Sequence, residues 1–313
     1  MTTMQQHPLY GRACSAMGVE VRHYQWEFGG DLSGAAQVLI RRWPLVGGIA
    51  LLSRGPLWAP EVPQADRVAA TRVLVRQLRS NMRGVLATPE IDAGPDPLAR
   101  TEMLRMVSSG HVARLDLREG KIARRGRMHG KWRNRLAKAE AEGLQITRTA
   151  LPTDPNHWLL RAEADQARAR RYKRLPIAFT TRWASCGGKT AGQVFTVMRN
   201  GNPIAAMLIL SHGSCASYHI GWSGPEGRRL NAHSLALWHA SNWCAGKGLQ
   251  HIDLGTLDTE TSPGLARFKL GCGAQPVLLG ATWLDAPGTR LAARLTALGR
   301  SESRPYASSS ASQ

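Results

Sequence analysis

The segment from Asp253 to Gly273, DLGTLDTETSPGLARFKLGCG, puts a carboxylate, a polar loop and a lysine into one short unit. A strand ends at Asp253–Gly255, a loop follows, and Ser262-Pro263 opens a short helix, with proline at a first-turn position that needs no amide donor. Lys269 stands near the end of that helix, just before two glycines. Strand ends of layered α/β sheets are where ligands bind, and a lysine there can neutralise an oxyanion or hold a phosphate. The same lysine also suits a helix C-terminus for reasons of helix dipole alone. Asp253 is the one carboxylate of the segment nominated as a proton acceptor, with a structural cap as its other reading. No G-x-S-x-G or Cys–His arrangement offers a covalent nucleophile. His219, His233 and His239 share no ligand spacing with neighbouring Asp, Glu or Cys, so no metal is expected. The five cysteines form no C-x-x-C pair and are expected as small buried side chains.

The elements around this segment repeat in order. Strands over 37–43 and 49–58 precede a helix over 65–81, then a strand over 84–91, a helix over 97–107 and a strand over 111–117. In the second half, strands over 193–199, 204–210 and 216–222 precede a helix over 231–247, a strand over 251–257, a helix over 263–271 and a strand over 276–284. Asn200-Gly201 between two strands is a strong hairpin signal. Hairpin, helix, strand, helix, strand, twice, predicts an α/β (α+β layered) protein of two similar mixed sheets flanked by helices. The division expected is 1–150, 151–288, and a C-terminal piece 289–313 of short helix and low-complexity tail.

The 313 residues carry 41 Lys+Arg against 22 Asp+Glu, a formal charge of +19, which points to polyanionic partners. Arg114–Lys138 holds ten of these cations and Arg161–Arg174 six. Both runs read as helices. The first packs through Trp132, Leu136 and Ala139. The second, with Asp154 as N-cap and Pro155 at N1, packs through Trp158, Ala162, Ala169 and Tyr172. Each then turns a basic face outward, toward solvent or toward a polyanion. No run of apolar residues is long enough to span a bilayer, and the opening MTTMQQHPLYGR has no apolar core, so a cytoplasmic protein without a secretory leader is expected.

The D-L-G…P-G-L-A-x-F-K-x-G-x-G pattern resembles the Fem (FemABX) family of aminoacyl transferases. Ser53-Arg-Gly-Pro56, Arg133-Asn-x-x-Ala-Lys-Ala-x-x-Glu-Gly143 and Gly224-x-x-Gly-Arg-Arg-Leu-Asn-Ala-x-x-Leu-Ala-Leu-Trp238 are similar to further family segments, in the same order. The resemblance runs from about residue 10 to 285. It implies two GNAT-like domains and transfer of an amino acid from aminoacyl-tRNA to an amine of a UDP-linked or lipid-linked peptidoglycan precursor. It implies catalytic roles for Lys269 and Asp253, and substrate contacts for Arg54, Arg133, Tyr172, Arg228 and Arg267. Arg54 is the expected diphosphate ligand. It also implies no resident cofactor, no stable protein partner, and a place at the inner membrane surface beside anionic lipid.

Two other functions fit parts of the pattern. An acyl-CoA N-acetyltransferase of the GNAT type needs backbone amides for a pyrophosphate before the long helix. Here Pro225 removes one such amide and Glu226 adds a negative charge. A non-catalytic RNA-binding protein of the same fold accounts for the charge equally well.

Overall fold

The computed structural model describes residues 3–28, 30–44, 47–91 and 94–293. The chain opens with helix α1 (Pro8–Ser15), with Pro8 at N1 and the His7 imidazole accepting from Leu9 N. The strands β1 (Glu20–Phe28), β2 (Asp31–Trp43), β3 (Gly47–Ser53) and β4 (Leu57–Trp58) follow. Next come helix α2 (Gln64–Asn81) and strands β5 (Gly84–Thr88), β6 (Leu104–Val107) and β7 (His111–Asp116). The basic stretch forms α3 (Lys121–Gly126) and α4 (Gly130–Ala141), then β8 (Gln145–Ala150), α5 (Trp158–Arg170) and α6 (Ile177–Gly187). The last part holds β9 (Gly192–Arg199), β10 (Asn202–His212), β11 (Cys215–Ser223), α7 (Pro225–Arg229) and α8 (Ala232–Gly246). It closes with β12 (His251–Leu257), α9 (Pro263–Gly271), β13 (Gln275–Leu278) and β14 (Thr282–Asp285).

Two mixed sheets result, in the orders β1-β2-β3-β5-β14-β6 and β13-β7-β12-β11-β10-β9-β8, with β4 paired to β2. The repeat is visible in the pairing. In each sheet an antiparallel hairpin (β2-β3, β10-β11) is followed by a crossover helix (α2, α8). The returning strand then lies parallel to the one it left, β5 on β3 and β12 on β11.

The next strand in each sheet is exchanged. β7, expected with the first half, pairs with β12, and β14, expected with the second half, pairs with β5. The sequence division at 150 therefore does not follow the sheets: the first sheet is built from 20–107 plus 282–285, the second from 111–278. The crossing is fixed where Leu279 N donates to Gly110 O at 2.8 Å and Gly280 N to Pro89 O at 3.2 Å. A Cβ on Gly280 would press on Pro89, so the two crossing segments need glycine there.

Three expected elements are corrected. Residues 97–103 form turns rather than a helix, because Asp96 ties them to the returning chain. Its Oδ1 accepts from Leu98 N, and its Oδ2 from both Ala281 N and Trp283 Nε1. The strand expected over 276–284 is two strands in different sheets, broken at Gly280. Helix α5 is capped by His157, whose Nδ1 accepts from Leu159 N, while Asp154 closes only a preceding turn through Asn156 N. The tail expected from Ser301 lies outside the described residues, as does the expected C-terminal piece beyond residue 293.

The second unit's core runs from Trp132, Leu136 and Ala139 of α4, the expected stripe, to Leu235, Trp238 and Cys244 of α8. A further core joins the two units: Leu9 and Ala13 of α1 and Leu39 of β2 pack with Leu159, Phe179, Trp183 and Leu208. Burial of such side chains is worth about 1.5–3 kcal/mol each, so the units are held together by apolar area as well as by strand exchange. Among the described residues no helix is long and apolar enough to cross a membrane.

Candidate functional site

β11 and β12 pair only over Cys215–Ser217 and His251–Asp253, and then diverge. Each strand carries an irregularity there. His219 is an extra residue between the pairs Ile209–Tyr218 and Leu208–Ile220. On β12 the register shifts after Asp253, where Gly255 takes φ 80° and its amide donates to Asp253 Oδ1 at 2.7 Å. Bulges of this kind bend a strand away from its neighbour. Beside the fork, on the β11 side, lies a cavity of about 920 Å³, walled by α5, the loop after it, β11, and the first turns of α8 and α9.

At its base the Tyr218 hydroxyl and His233 Nε2 are hydrogen-bonded at 3.0 Å. A Cβ on Gly221 would overlap that hydroxyl, so the missing side chain makes the space the pair occupies. His219 Nε2 lies 2.8 Å from Thr180 Oγ1. Burial pushes both imidazoles down to about 4, so each is neutral near pH 7, and it pushes the Tyr218 phenol up.

On the α5 wall, Glu163 is 5% exposed. Arg174 Nε stands 3.4 Å from its Oε2, and the Tyr172 hydroxyl donates to its Oε1 at 3.4 Å. Burial raises its carboxyl above the ordinary range, with Arg174 and Tyr172 opposing the rise. Gln166 Nε2 donates to Gly221 O at 3.0 Å. Arg135, Arg170, Lys173, Arg174 and Arg228 also line the cavity, and among the described residues Glu163 is its one acidic lining residue.

The sequence-derived residues fall into three groups. Tyr172 and Arg228 line this cavity. Arg133 on α4 and Arg267 on α9 are exposed and outside its lining. Arg54, Asp253 and Lys269 are brought together outside the cavity lining, the first two in an ion cluster between the two sheets and Lys269 beside it. Arg54 Nε and Nη2 donate to the two oxygens of Glu90 at 3.0 and 3.1 Å, and Nη1 donates to Asp253 Oδ2. Arg114 Nη2 reaches Glu90 Oε1 at 3.3 Å. Burial would lower the Arg54 pKa, but Asp253 and Glu90 outweigh it and hold it above its ordinary value. The expected diphosphate ligand is thus engaged on both sides by carboxylates. Lys269 is 5% exposed and donates to Thr256 O at 2.8 Å. Burial lowers its pKa and the charge of Asp253 opposes that.

The basic runs are also less uniform than their composition. In the first run, Arg124 is buried, donating to Glu119 O and Asn242 Oδ1. Arg125 makes a two-point pair with Glu140, and Arg127 pairs with Glu119. In the second run, the buried stripe of α5 is Leu159, Leu160, Glu163 and Ala167, one step round from the expected one. Sequence reasoning missed Glu163 for that reason. The available signal was a glutamate at i+4 from Leu159 and i−4 from Ala167. Tyr218 and His233, on different elements, carry no shared local signal.

Residues 123–273 match the acetyltransferase (GNAT) domain family. No curated protein matches the chain significantly by sequence. Among solved structures, FemX superposes with a TM-score of 0.76 at 12% identity, over 92% of this chain and 93% of its own. The C-terminal domain (DUF2156) of a putative lysylphosphatidylglycerol synthetase from Agrobacterium fabrum gives 0.55 at 12% identity, over 94% and 93%. L-PGS from Bacillus licheniformis gives 0.53 at 14%, over 94% and 99%. The GNAT family match covers just under half of the chain. The chain as a whole shares the fold of FemX, two GNAT-like units in tandem.

Proposed function

We propose that the protein moves an aminoacyl group from aminoacyl-tRNA to an amine of a peptidoglycan precursor, nucleotide-linked or lipid-linked, on the cytoplasmic side of the inner membrane. The observation that carries this reading is the set of long cationic side chains that line the cavity. Four amides of the loop leading into α8 are used internally: Gly224 N donates to Ile204 O, Arg228 N to Gly224 O, Leu230 N to Glu226 O and Asn231 N to Arg228 O, and Pro225 has none to give. Gly227 is needed for packing, since a Cβ there would overlap Ile204 O. Phosphate recognition falls instead to long cationic side chains, which suits a nucleic-acid backbone better than one buried pyrophosphate. The likeness to FemX and to a lysylphosphatidylglycerol synthetase domain supports an aminoacyl donor.

The reaction needs an amine to attack an ester carbonyl, a place for the oxyanion, and a proton for the leaving ribose oxygen. Gly221 turns its carbonyl to Gln166 on the open side of β11, and in a strand the amide of that residue faces the same way. That amide is the proposed oxyanion donor. The Tyr218 hydroxyl, held by neutral His233, gives its proton to the leaving oxygen and regains one from the attacking amine. No covalent intermediate on the protein is required. Lys269 and Asp253, outside the cavity lining, hold the β12 bulge and the Thr256 loop beside the reacting groups.

The domain match at 123–273 favours a second reading, an N-acetyltransferase using acyl-CoA. Incubation with labelled aminoacyl-tRNA, labelled acetyl-CoA and a precursor amine separates them. Transfer of the aminoacyl label is expected. Transfer of acetyl alone refutes the proposal, and binding of tRNA without any transfer leaves an RNA-binding protein of this fold.

A further inference from the structure

We infer that Glu163 is the anchor for a free ammonium group on the acyl donor, so that the cavity selects an aminoacyl ester over the same ester with its nitrogen blocked. The inference rests on the cavity being the transfer site proposed above.

A carboxylate taken out of water is costly unless its lone pairs are filled. The same chain shows what a filled one looks like: Glu90, 5% exposed in its side chain, receives two bonds from Arg54 at 3.0 and 3.1 Å and a third contact from Arg114. Glu163 is buried to a similar degree, at 7% side-chain exposure, yet its two partners both stand at 3.4 Å. It sits on the buried stripe of α5 between Leu159 and Ala167, so it is placed there by the helix and not by chance orientation at the surface. The remaining acceptor capacity faces a cavity that otherwise presents cations.

A wholly anionic ligand would be repelled by this group, and a neutral acetyl would leave it unfilled. A ligand that satisfies both signs carries phosphate toward Arg170, Lys173 and Arg228 and an ammonium a short distance inward. The aminoacylated end of a nucleic acid has that arrangement. Tyr172, bonded to both Gln166 and Glu163, fixes the carboxylate's orientation toward the interior.

The test uses one tRNA in two forms, aminoacylated with a free α-amino group and N-acetylated after charging. Transfer to a precursor amine and filter retention of each form are measured for the wild type, Glu163→Gln and Glu163→Asp. A charge-assisted hydrogen bond contributes about 1.5–3 kcal/mol, so the wild type is expected to prefer the free amine by about 10- to 150-fold in both readouts. Glu163→Gln should bring that ratio to near one, mainly by weakening retention of the free-amine form, and Glu163→Asp should keep part of it. The wild-type preference should also fade as the pH rises through the ammonium's own titration, about 7.7–8.0 for a free α-amino group. A Glu163→Gln protein that keeps the full preference overturns the inference. So does an equal loss of turnover on both forms with retention unchanged, which would make Glu163 a proton acceptor for the incoming amine. A wild type that transfers from aminoacyl-tRNA without preferring the free amine refutes the anchor alone. One that uses acetyl-CoA only refutes the anchor and the proposed function together.

Discussion

Replacing Arg54 by methionine removes one charge from a directly bonded group of four, Arg54 and Arg114 against Glu90 and Asp253, while Lys269 nearby spends its hydrogen bond on Thr256 O. The side chains of Arg54, Glu90 and Asp253 are only 11%, 5% and 17% exposed, so the surplus negative charge has little water to relax into. Removing one partner of a buried pair costs about 3–5 kcal/mol, mostly through the charge left behind. At roughly 2 °C per kcal/mol for a chain of this size, the midpoint of thermal unfolding should fall by at least about 6 °C. The double change Arg54→Met with Asp253→Asn restores charge balance, because Arg114 still faces Glu90 and Asn retains an oxygen for Gly255 N. Its cost should therefore be smaller than the sum of the two single changes by at least about 1 kcal/mol, in urea unfolding analysed as a double-mutant cycle. A single-mutant loss within about 0.5 kcal/mol, together with a raised KM for the precursor, would refute this and make Arg54 the diphosphate ligand that its motif suggests. Strictly additive costs would also refute it, since they would mean that Arg54 and Asp253 do not share one charge balance.

Other outcomes follow from the same geometry. His219 and His233 have pKa values lowered to about 4 from 6.5, so between those values the unfolded chain binds more protons. Stability is then complete above pH 6.5 and lost as the pH falls toward 4, by up to about 3 kcal/mol per imidazole, and His219→Gln should remove its share of that slope in urea titrations at pH 7 and 4.5. Changing Arg170, Arg171 and Lys173 together to alanine should flatten the log–log salt dependence of tRNA binding by about two units. The pair Arg125 and Arg127, matched by Glu140 and Glu119, should change it by less than one, and equal effects in filter binding would refute the local-pairing argument. Lys269→Met should lower transfer by about 10²-fold if Lys269 holds the fork in register for the oxyanion. Wild-type turnover with matched circular dichroism would remove it from the mechanism.

The hairpin–helix–strand repeat was legible because it is local: alternation, an Asn-Gly turn and apolar helix stripes each declare themselves within a dozen residues. Strand exchange was not, since nothing in His111–Asp116 or Thr282–Asp285 encodes which sheet it joins. That choice is made by the crossing of 108–110 with 279–281, which needs both halves present. The same limit governs the site. Arg54 and Asp253 were each identified from their own motif and assigned separate roles, yet they are 199 residues apart in sequence and bonded to each other in the fold. Arginine at the end of one sheet and aspartate at the end of the other are what a two-unit interface requires of each side. A motif can therefore serve the joint between two units.

The charge excess follows a similar logic. Composition treats the sixteen cations of the two basic runs alike, but Glu90, Asp116, Glu119, Glu140, Asp165 and Glu163 each take one into an ion pair. Arg170, Arg171 and Lys173 carry no ion pair among the described residues. Two of these three, with Arg135, line the open side of the cavity. Under the proposed function, such locally unmatched charges at the cavity add a local attraction to the general surface field. Net charge of +19 makes a polyanionic partner the expectation, and Arg135, Arg170 and Lys173 are the cations of the two runs, unpaired among the described residues, that the proposed function puts to use.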